Sequence, residues 1–371
     1  MKILLVNWRC IKNPEAGGAE YHLHEIFKRV IKSGHSATLV CHWFNGAARQ
    51  EEIDGIKIIR IGDKFRFKSQ FKKYYLKHLA KEDYDLIVDD ISKIPMQIST
   101  YAKKPVVGIL HHIHGNTLYK ELPFPLAFYI IRQEKLITKF YSNTPIFVVS
   151  ESTKKELMEL GFPENKIDFL FNAITQESFP SSFPAKSPTP TITYVGRIKK
   201  YKNLEMIIDA LPKVVQYIPD IKLEIAGGGD YLDKITEYSK KRNVSENIII
   251  HGRVSENEKI KIFERAWIFI TMSLKEGWSI TVLEANAAYT PAIGADVPGL
   301  RDSIRNNKTG LLIENNADVL ADTIIRLIKD KTRLKEFSIN AKEWANNFTW
   351  EKSAEQFLRM VYEWYPQLKE K

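Results

Sequence analysis

Short apolar runs separated by helix-length segments are the feature that most restricts what this chain can fold into. KILLVNW, SATLVCHW, YDLIVDD, KPVVGILHH and TPIFVVSES follow one another through residue 175. That rhythm predicts repeated βα units around a parallel sheet. The stretch SSFPAKSPTP, residues 181–190, combines Pro, Ser and Lys without either period and predicts a linker. The rhythm then restarts with TITYVGR, IKLEIAGGG, NIIIHGRV, AWIFITMS, TPAIGADV and TGLLIEN. FTWEKSAEQFLRMVYEWY carries apolar residues at helical spacing after Thr349, a natural N-cap, and predicts a long terminal helix. The expected organisation is an α/β protein with one domain over 1–180, a linker over 181–190, a second domain over 191–348 and a terminal helix over 349–371 that packs back across the domain junction.

A chain of 371 residues with 44% apolar content can bury a large core. Cys10 and Cys41 are its only cysteines, too few for a disulfide framework and not at metal-ligand spacing, which fits a reducing compartment. MKILLVNW runs straight into strand-like residues, and no apolar run approaches the ~20 residues needed to span a bilayer. The expected location is therefore cytoplasmic, or peripheral at the inner face of a membrane. A net charge of +10 is compatible with nucleic acid, an anionic membrane or phosphate-rich ligands. No recognised DNA- or RNA-binding module accompanies it, so nucleic acid is not an expected partner. From Lys64 to Lys81 there are seven Lys/Arg and no acid, interleaved with Phe65, Phe67, Phe71, Tyr74, Tyr75 and Leu76. This segment reads either as a solvated basic helix or as a membrane-surface or acceptor-binding helix, together with the apolar LPFPLAFYII at 122–131.

In an open α/β sheet ligands sit at the carboxyl ends of the strands, so loops that follow strands carry the most weight. After the first run, Gly17 and Gly18 precede a helix and let backbone amides approach a phosphate or sugar; a plain tight turn is the alternative. Glu20 reads as a first-turn carboxylate favoured by the helix dipole. His111, His112 and His114 stand at a strand end, where one imidazole is expected to face a ligand. Metal binding is the rival reading, disfavoured because alternate strand residues diverge and no Asp or Glu stands near them in sequence. In VGRIKKYKNLE, Arg197 follows a strand and Lys202 lies at the mouth of the next helix, so two cations and a helix N-terminus converge on one anion. Such a clamp offsets the charge of a departing pyrophosphate without a metal; a solvated basic loop is the alternative. AGGGD places Gly227, Gly228 and Gly229 in a flexible turn or a base-facing loop. In KEGWSITVLEANAAYTP, Glu276 on a loop and Glu284 about two turns into a helix offer one carboxylate to sugar hydroxyls and another to ribose hydroxyls. The amides around Ser279, Ile280 and Thr281 sit at that helix N-terminus, where a phosphate is favoured.

Taken together, these strings resemble glycosyltransferase family 4, the retaining sugar-nucleotide transferases with two facing Rossmann-like domains. The likeness spans essentially the whole chain and keeps one order: GGAE at 17–20, PVVGILHH at 105–112, SEST at 150–153, VGRIKKYKNLE at 195–205, IAGGGD at 225–230, HGRV at 251–254, EGWSITVLEAN at 276–286, DVPGLRDSI at 296–304 and TGLLI at 309–313. The resemblance implies a GT-B architecture with a cleft between two parallel-sheet domains, the acceptor on the first and the donor on the second. It puts Gly17 and Gly18 under the donor, His111 at the active-site histidine position, Arg197 and Lys202 on the diphosphate, Glu276 on the transferred sugar and Glu284 on the ribose. Gly229, Val254, Ser279, Ile280 and Thr281 complete the implied donor contacts. His112 and His114 are not carried over. Three positions depart from the pattern: Ser279 where many members have Gly, Tyr289 where Gly commonly precedes Thr-Pro, and Ala173 after Asn172 where Gly is usual.

The implied activity is metal-free transfer of a hexosyl unit, with retention, from a UDP- or GDP-type nucleotide diphosphate sugar to a carbohydrate, lipid-linked or small-molecule acceptor. No paired carboxylates flank a sugar as in double-displacement glycosidases, so a front-face route follows. A sugar-nucleotide epimerase, a glycosyl phosphorylase and a noncatalytic sugar-nucleotide binding protein share the architecture and stand as alternatives.

Overall fold

Each expected apolar run forms a strand, and two parallel sheets result. The computed structural model describes residues 1–120 and 122–371, with only the backbone of Lys120. Two compact units emerge, Met1–Ala173 with Trp350–Lys371, and Ile174–Thr349. In the first, β1 (Lys2–Val6), β2 (Ser36–His42), β3 (Gln50–Ile53), β4 (Ile56–Ile61), β5 (Leu86–Ile91), β6 (Val106–Leu110), β7 (Ile146–Val148) and β8 (Ile167–Phe169) form one sheet in the order β3-β4-β2-β1-β5-β6-β7-β8. Only β3 runs antiparallel to its neighbour among the described residues. The connecting helices are α1 (Gly18–Lys32), α2 (Phe67–Lys77), α3 (Phe124–Lys135), α4 (Ile137–Phe140) and α5 (Glu151–Glu159).

The second unit builds β9 (Thr191–Val195), β10 (Lys222–Ala226), β11 (Ile248–Gly252), β12 (Ile268–Thr271), β13 (Ala292–Ala295) and β14 (Gly310–Ile313) into a parallel sheet in the order β11-β10-β9-β12-β13-β14. Its helices are α6 (Leu204–Tyr217), α7 (Leu232–Lys241), α8 (Glu256–Arg265), α9 (Ile280–Ala287), α10 (Leu300–Ser303), α11 (Ala317–Lys329) and α12 (Lys331–Ala345). Helix starts follow local chemistry. The hydroxyl of Ser255 accepts from the Glu258 amide while Glu258 reaches back to the Ser255 amide, and the Asn316 side chain accepts from the amides of Asp318 and Val319. Among the described residues no helix is long and apolar enough to cross a membrane.

One expectation about organisation changes. The segment 181–190 does not stand as a linker between the units but belongs to the second and lies against its surface. The Ser187 amide donates to the carbonyl of Arg265, the Trp267 indole donates to the carbonyl of Ser187, and Lys186 Nζ lies 2.8 Å from Thr290 Oγ1. Burial lowers the Lys186 ammonium to about 7. Its prolines leave few backbone donors to satisfy, which is why a stretch without helical or strand period can still be packed. The β3–β4 hairpin and the short β8 lie outside the apolar runs.

The terminal helix, α13 (Trp350–Trp364), belongs to the first unit. Phe357 is fully enclosed, with its ring 4.8 Å from Phe27 of α1 and 5.5 Å from Phe147 of β7, and Trp350 packs on Tyr21. Removing such a ring costs roughly 3–5 kcal/mol in transfer and cavity terms. Phe357→Ala is therefore expected to lower unfolding free energy by that amount in urea titrations. A loss under about 1 kcal/mol would show that α13 does not seal this core.

Candidate active site

In the first unit the ends of adjacent parallel strands bring together side chains that are far apart in sequence. β5 and β6 pair with Asp90 opposite Ile109, which sets Asp90 beside the residue that follows β6. His111 Nε2 lies 3.0 Å from Asp90 Oδ1, and Asn7 Nδ2 donates to Asp90 Oδ2 at 2.6 Å. His22 of α1 meets the His111 ring edge to face at 5.1 Å. Burial works to lower the His111 pKa, but the Asp90 carboxylate outweighs it and the net shift is upward, with Glu20 adding in the same direction. Glu20 also accepts from the Gly17 amide at 2.7 Å, so the first-turn carboxylate both caps α1 and acts on His111. Gly17 and Gly18 open that helix as expected.

His114 takes a different role from His111. Its Nδ1 and its amide both meet Glu134 Oε1 of α3, at 2.9 and 2.8 Å, and its ring lies 4.0 Å from that of His112. Carboxylates do therefore stand beside these histidines, supplied by a neighbouring strand and a helix. Among the described residues no three His, Cys, Asp or Glu gather as a metal-binding group.

In the second unit the loop after β9 and the loop before α9 come together through the Leu274 amide, which donates to the carbonyl of Tyr201 at 2.9 Å. Lys202 Nζ and Glu276 form a close ion pair whose side chains are only 16% and 13% exposed. Burial alone would lower the lysine, yet Glu276 more than compensates and raises it. Arg197, Lys202 and Glu276 all act electrostatically on the buried Tyr194 hydroxyl, which itself donates to the carbonyl of Arg197. The Arg197 side chain is exposed.

The glycine loop after β10 is bound to this arrangement by backbone contact. A Cβ on Gly227 would meet the Gly196 carbonyl oxygen at 1.9 Å, and one on Gly229 would meet that of Ile198 at 2.0 Å. Gly227 also has φ +144°. These glycines hold the Arg197 loop against the sheet edge. Gly299 does the same for Glu276, whose carbonyl oxygen would lie 2.3 Å from an added Cβ.

Glu284 lies about one turn into α9, not two, because the helix begins at Ile280. It is buried and accepts from Lys259 Nζ at 2.7 Å, a partner from α8 that the sequence reading did not name. Burial raises its pKa against the pull of that lysine. Ser279 is the N-cap of α9 without a side-chain cap bond; its hydroxyl lies 3.0 Å from that of Thr281. Val254 is half-buried on the second unit's core, in the turn before α8. Tyr289 occupies a left-handed conformation, φ +57°, which is where a glycine is at ease, and its hydroxyl donates to the carbonyl of Ser181. Ala173 is fully buried.

The basic segment after Lys64 departs from a lipid-facing helix with interleaved aromatics. Phe67, Phe71 and Tyr75 of α2 point into the core, while Phe65 is 92% exposed. The exposed rings cluster instead on α3, where Phe124 stacks on Phe128 and on Tyr119.

Comparison with known proteins bears on the family and the fold. Residues 16–177 match the model described as glycosyltransferase family 4, and residues 175–344 the one described as glycosyl transferases group 1. An uncharacterized glycosyltransferase of Methanocaldococcus jannaschii is 24% identical over 96% of both chains. Other curated relatives are longer, and the chain spans 54%, 42% and 59% of the length of three of them. Among solved structures, sucrose-phosphate synthase of Thermosynechococcus elongatus superposes with a TM-score of 0.82 at 18% identity, covering 99% of each chain. Anabaena HepE in complex with UDP-glucose does so at 0.77 and 16% identity, covering 98% of this chain and 100% of that one.

The His111–Asp90 contact yields a titration test. With the folded pKa of His111 raised above its ordinary 6.5, the stability it contributes is complete below about pH 6.5 and is lost as pH rises through the folded value. Asp90→Asn removes the charge and keeps the burial, so the His111 imidazole is expected to titrate below 6.5 in that variant and above it in the parent, as read by NMR. An unchanged midpoint would show that Asp90 does not set the His111 charge.

Proposed function

We propose, for a chain that belongs to the family 4 glycosyltransferases of GT-B fold, that it moves a hexosyl unit from a nucleotide diphosphate sugar to an acceptor hydroxyl, with retention and without a required metal ion. The observation that carries this reading is the enclosed Lys202–Glu276 pair beside Arg197. Two cations and one carboxylate at the end of β9 match a diphosphate next to a polyhydroxylated ring, since guanidinium and ammonium groups take phosphate oxygens and a carboxylate takes two sugar hydroxyls. Lys202 and Glu276 neutralise each other without ligand, and in this reading the donor separates them. Glu284 receives the ribose hydroxyls in exchange for part of its contact with Lys259, and the uncapped start of α9 at Ser279, Ile280 and Thr281 receives a phosphate oxygen. A same-fold structure that holds UDP-glucose supports a nucleotide-sugar donor, and UDP- and GDP-sugars are the first to assay.

In the reaction so proposed, the acceptor hydroxyl attacks the anomeric carbon on the face from which the nucleotide departs. The bond from that carbon to the diphosphate oxygen breaks, the leaving phosphate takes the hydroxyl proton, and Arg197 with Lys202 offsets the developing charge. His111, held by Asp90, positions the sugar or the acceptor. The first unit takes the acceptor, and the exposed rings of α3 give it a surface for a peripheral lipid contact at the inner face of the membrane.

Truncating one partner of an enclosed ion pair strands the other at a cost of about 3–5 kcal/mol, so amide variants are the cleaner test than alanine. Lys202→Gln and Glu276→Gln are each expected to lower turnover by at least ~10²-fold, the usual loss for one preorganised transition-state contact, with circular dichroism unchanged. Near-parental kinetics in either folded variant would remove that residue from the site. Donor turnover is also expected to persist in excess chelator; activity lost to chelator and restored only by a divalent cation would overturn the metal-free mechanism.

A further inference from the structure

The first unit contains a cavity of about 510 Å³ that none of Asn7, Asp90 or His111 lines. Its walls come from Trp8 after β1, the start of α2 with the two residues before it, the segment after β5 and one residue of α3. Trp8, Tyr101 and Tyr129 supply aromatic faces, and Arg66, Lys68 and Lys72 supply three cations. That size suits a small organic ligand.

The charges in this cavity are unbalanced in a specific way. Arg66 pairs with Asp63 at 3.1 Å, and Lys72 lies over the Tyr101 ring at 5.0 Å. Lys68 is half-buried, and among the described residues no carboxylate stands within ion-pair distance of its ammonium. Burial lowers its pKa, the distant pull of buried Asp89 opposes this, and Lys72 adds repulsion. Two ammonium groups are thus held near one another at a helix start that has no side-chain cap, where the helix dipole adds positive potential. A partly desolvated lysine without a counter-ion costs stability, and an anion placed among these groups would relieve that cost.

We propose that this cavity binds a phosphate ester, with the phosphate oxygens taken by Lys68, Lys72 and the first turn of α2, and the organic part lying against Trp8, Tyr101 and Tyr129. The proposal rests on the reading that the first unit takes the acceptor, and it names the class of that acceptor: one that carries a phosphate group. A soluble phosphomonoester and a phospholipid headgroup share this chemistry. Phe65 and Tyr129, which are 92% and 45% exposed at the cavity, would contact acyl chains in the second case.

Titration calorimetry of the full chain with glycerol phosphate, and co-sedimentation with phosphatidylglycerol or phosphatidylcholine vesicles, tests the assignment. Lys68→Gln is expected to weaken binding by about tenfold or more, the loss of one charge-assisted contact, and Lys68→Arg to retain it. Binding of glycerol phosphate in solution identifies a soluble ester. Binding only to phosphatidylglycerol vesicles, and its loss in Lys68→Gln, identifies the headgroup. No binding to either probe, or equal binding by parent and Lys68→Gln, overturns the proposal. UDP-glucose and GDP-mannose binding measured in the same samples keeps the two readings apart. Their retention in Lys68→Gln ties the loss to this cavity, whereas phosphate binding in a protein that takes neither nucleotide sugar would count against the donor assignment alone.

Discussion

Parallel strands point the same way, and every other feature of this molecule follows from that. A chain that returns by a helix after each strand must put all strand-to-helix loops at one edge of the sheet. In the first unit this assembles Asn7, Asp90 and His111, which are spread over about a hundred residues of sequence, into one hydrogen-bonded set. In the second it brings the loop of Arg197 and Lys202 against the glycine loop after β10 and against Glu276. The backbone contacts at Gly227 and Gly229 matter because they fix this edge before any side chain is considered.

The charged groups collected at these edges are not left bare. Lys202 faces Glu276, Glu284 faces Lys259, and His111 faces Asp90. Buried pairs of this kind contribute little net stability, since desolvation offsets attraction. Their value lies in keeping opposite charges in place at low dielectric, where an incoming ligand can exchange partners with them without stranding a charge. Lys68, in the cavity beside α2, has no carboxylate within ion-pair distance among the described residues.

Much of this was legible in the sequence, and the failures have physical causes. All six strands of the second unit coincide with the apolar runs read there, because buried parallel strands are continuous apolar stretches. β3 lies outside the apolar runs because QEEI is charged and sits at the sheet edge, and β4 because Lys57 and Arg60 interrupt its isoleucines. The role of Asp90 could not be read because it depends on which strands are neighbours, a fact absent from local spacing. The same holds for Lys259 beside Glu284 and for Glu134 beside His114. The aromatics of the basic segment were visible, but whether they faced core or solvent depended on where α2 began, and its phase turned Phe67, Phe71 and Tyr75 inward.

Because α13 completes the first unit, that unit is discontinuous along the chain, while residues 174–349 form theirs without interruption. During synthesis the second unit has all of its strands available before the first has its last helix. The rings of Phe27 and Phe147 stay without their partner until Phe357 has left the ribosome. A nascent chain of this protein therefore carries an unsealed apolar face for most of its translation, and domains that fold as units under such an order depend on late residues for protection against aggregation. A stop codon shortly before Trp350 would thus be far more damaging than its distance from Lys202 or His111 suggests, since it would leave the second unit whole and the first permanently open.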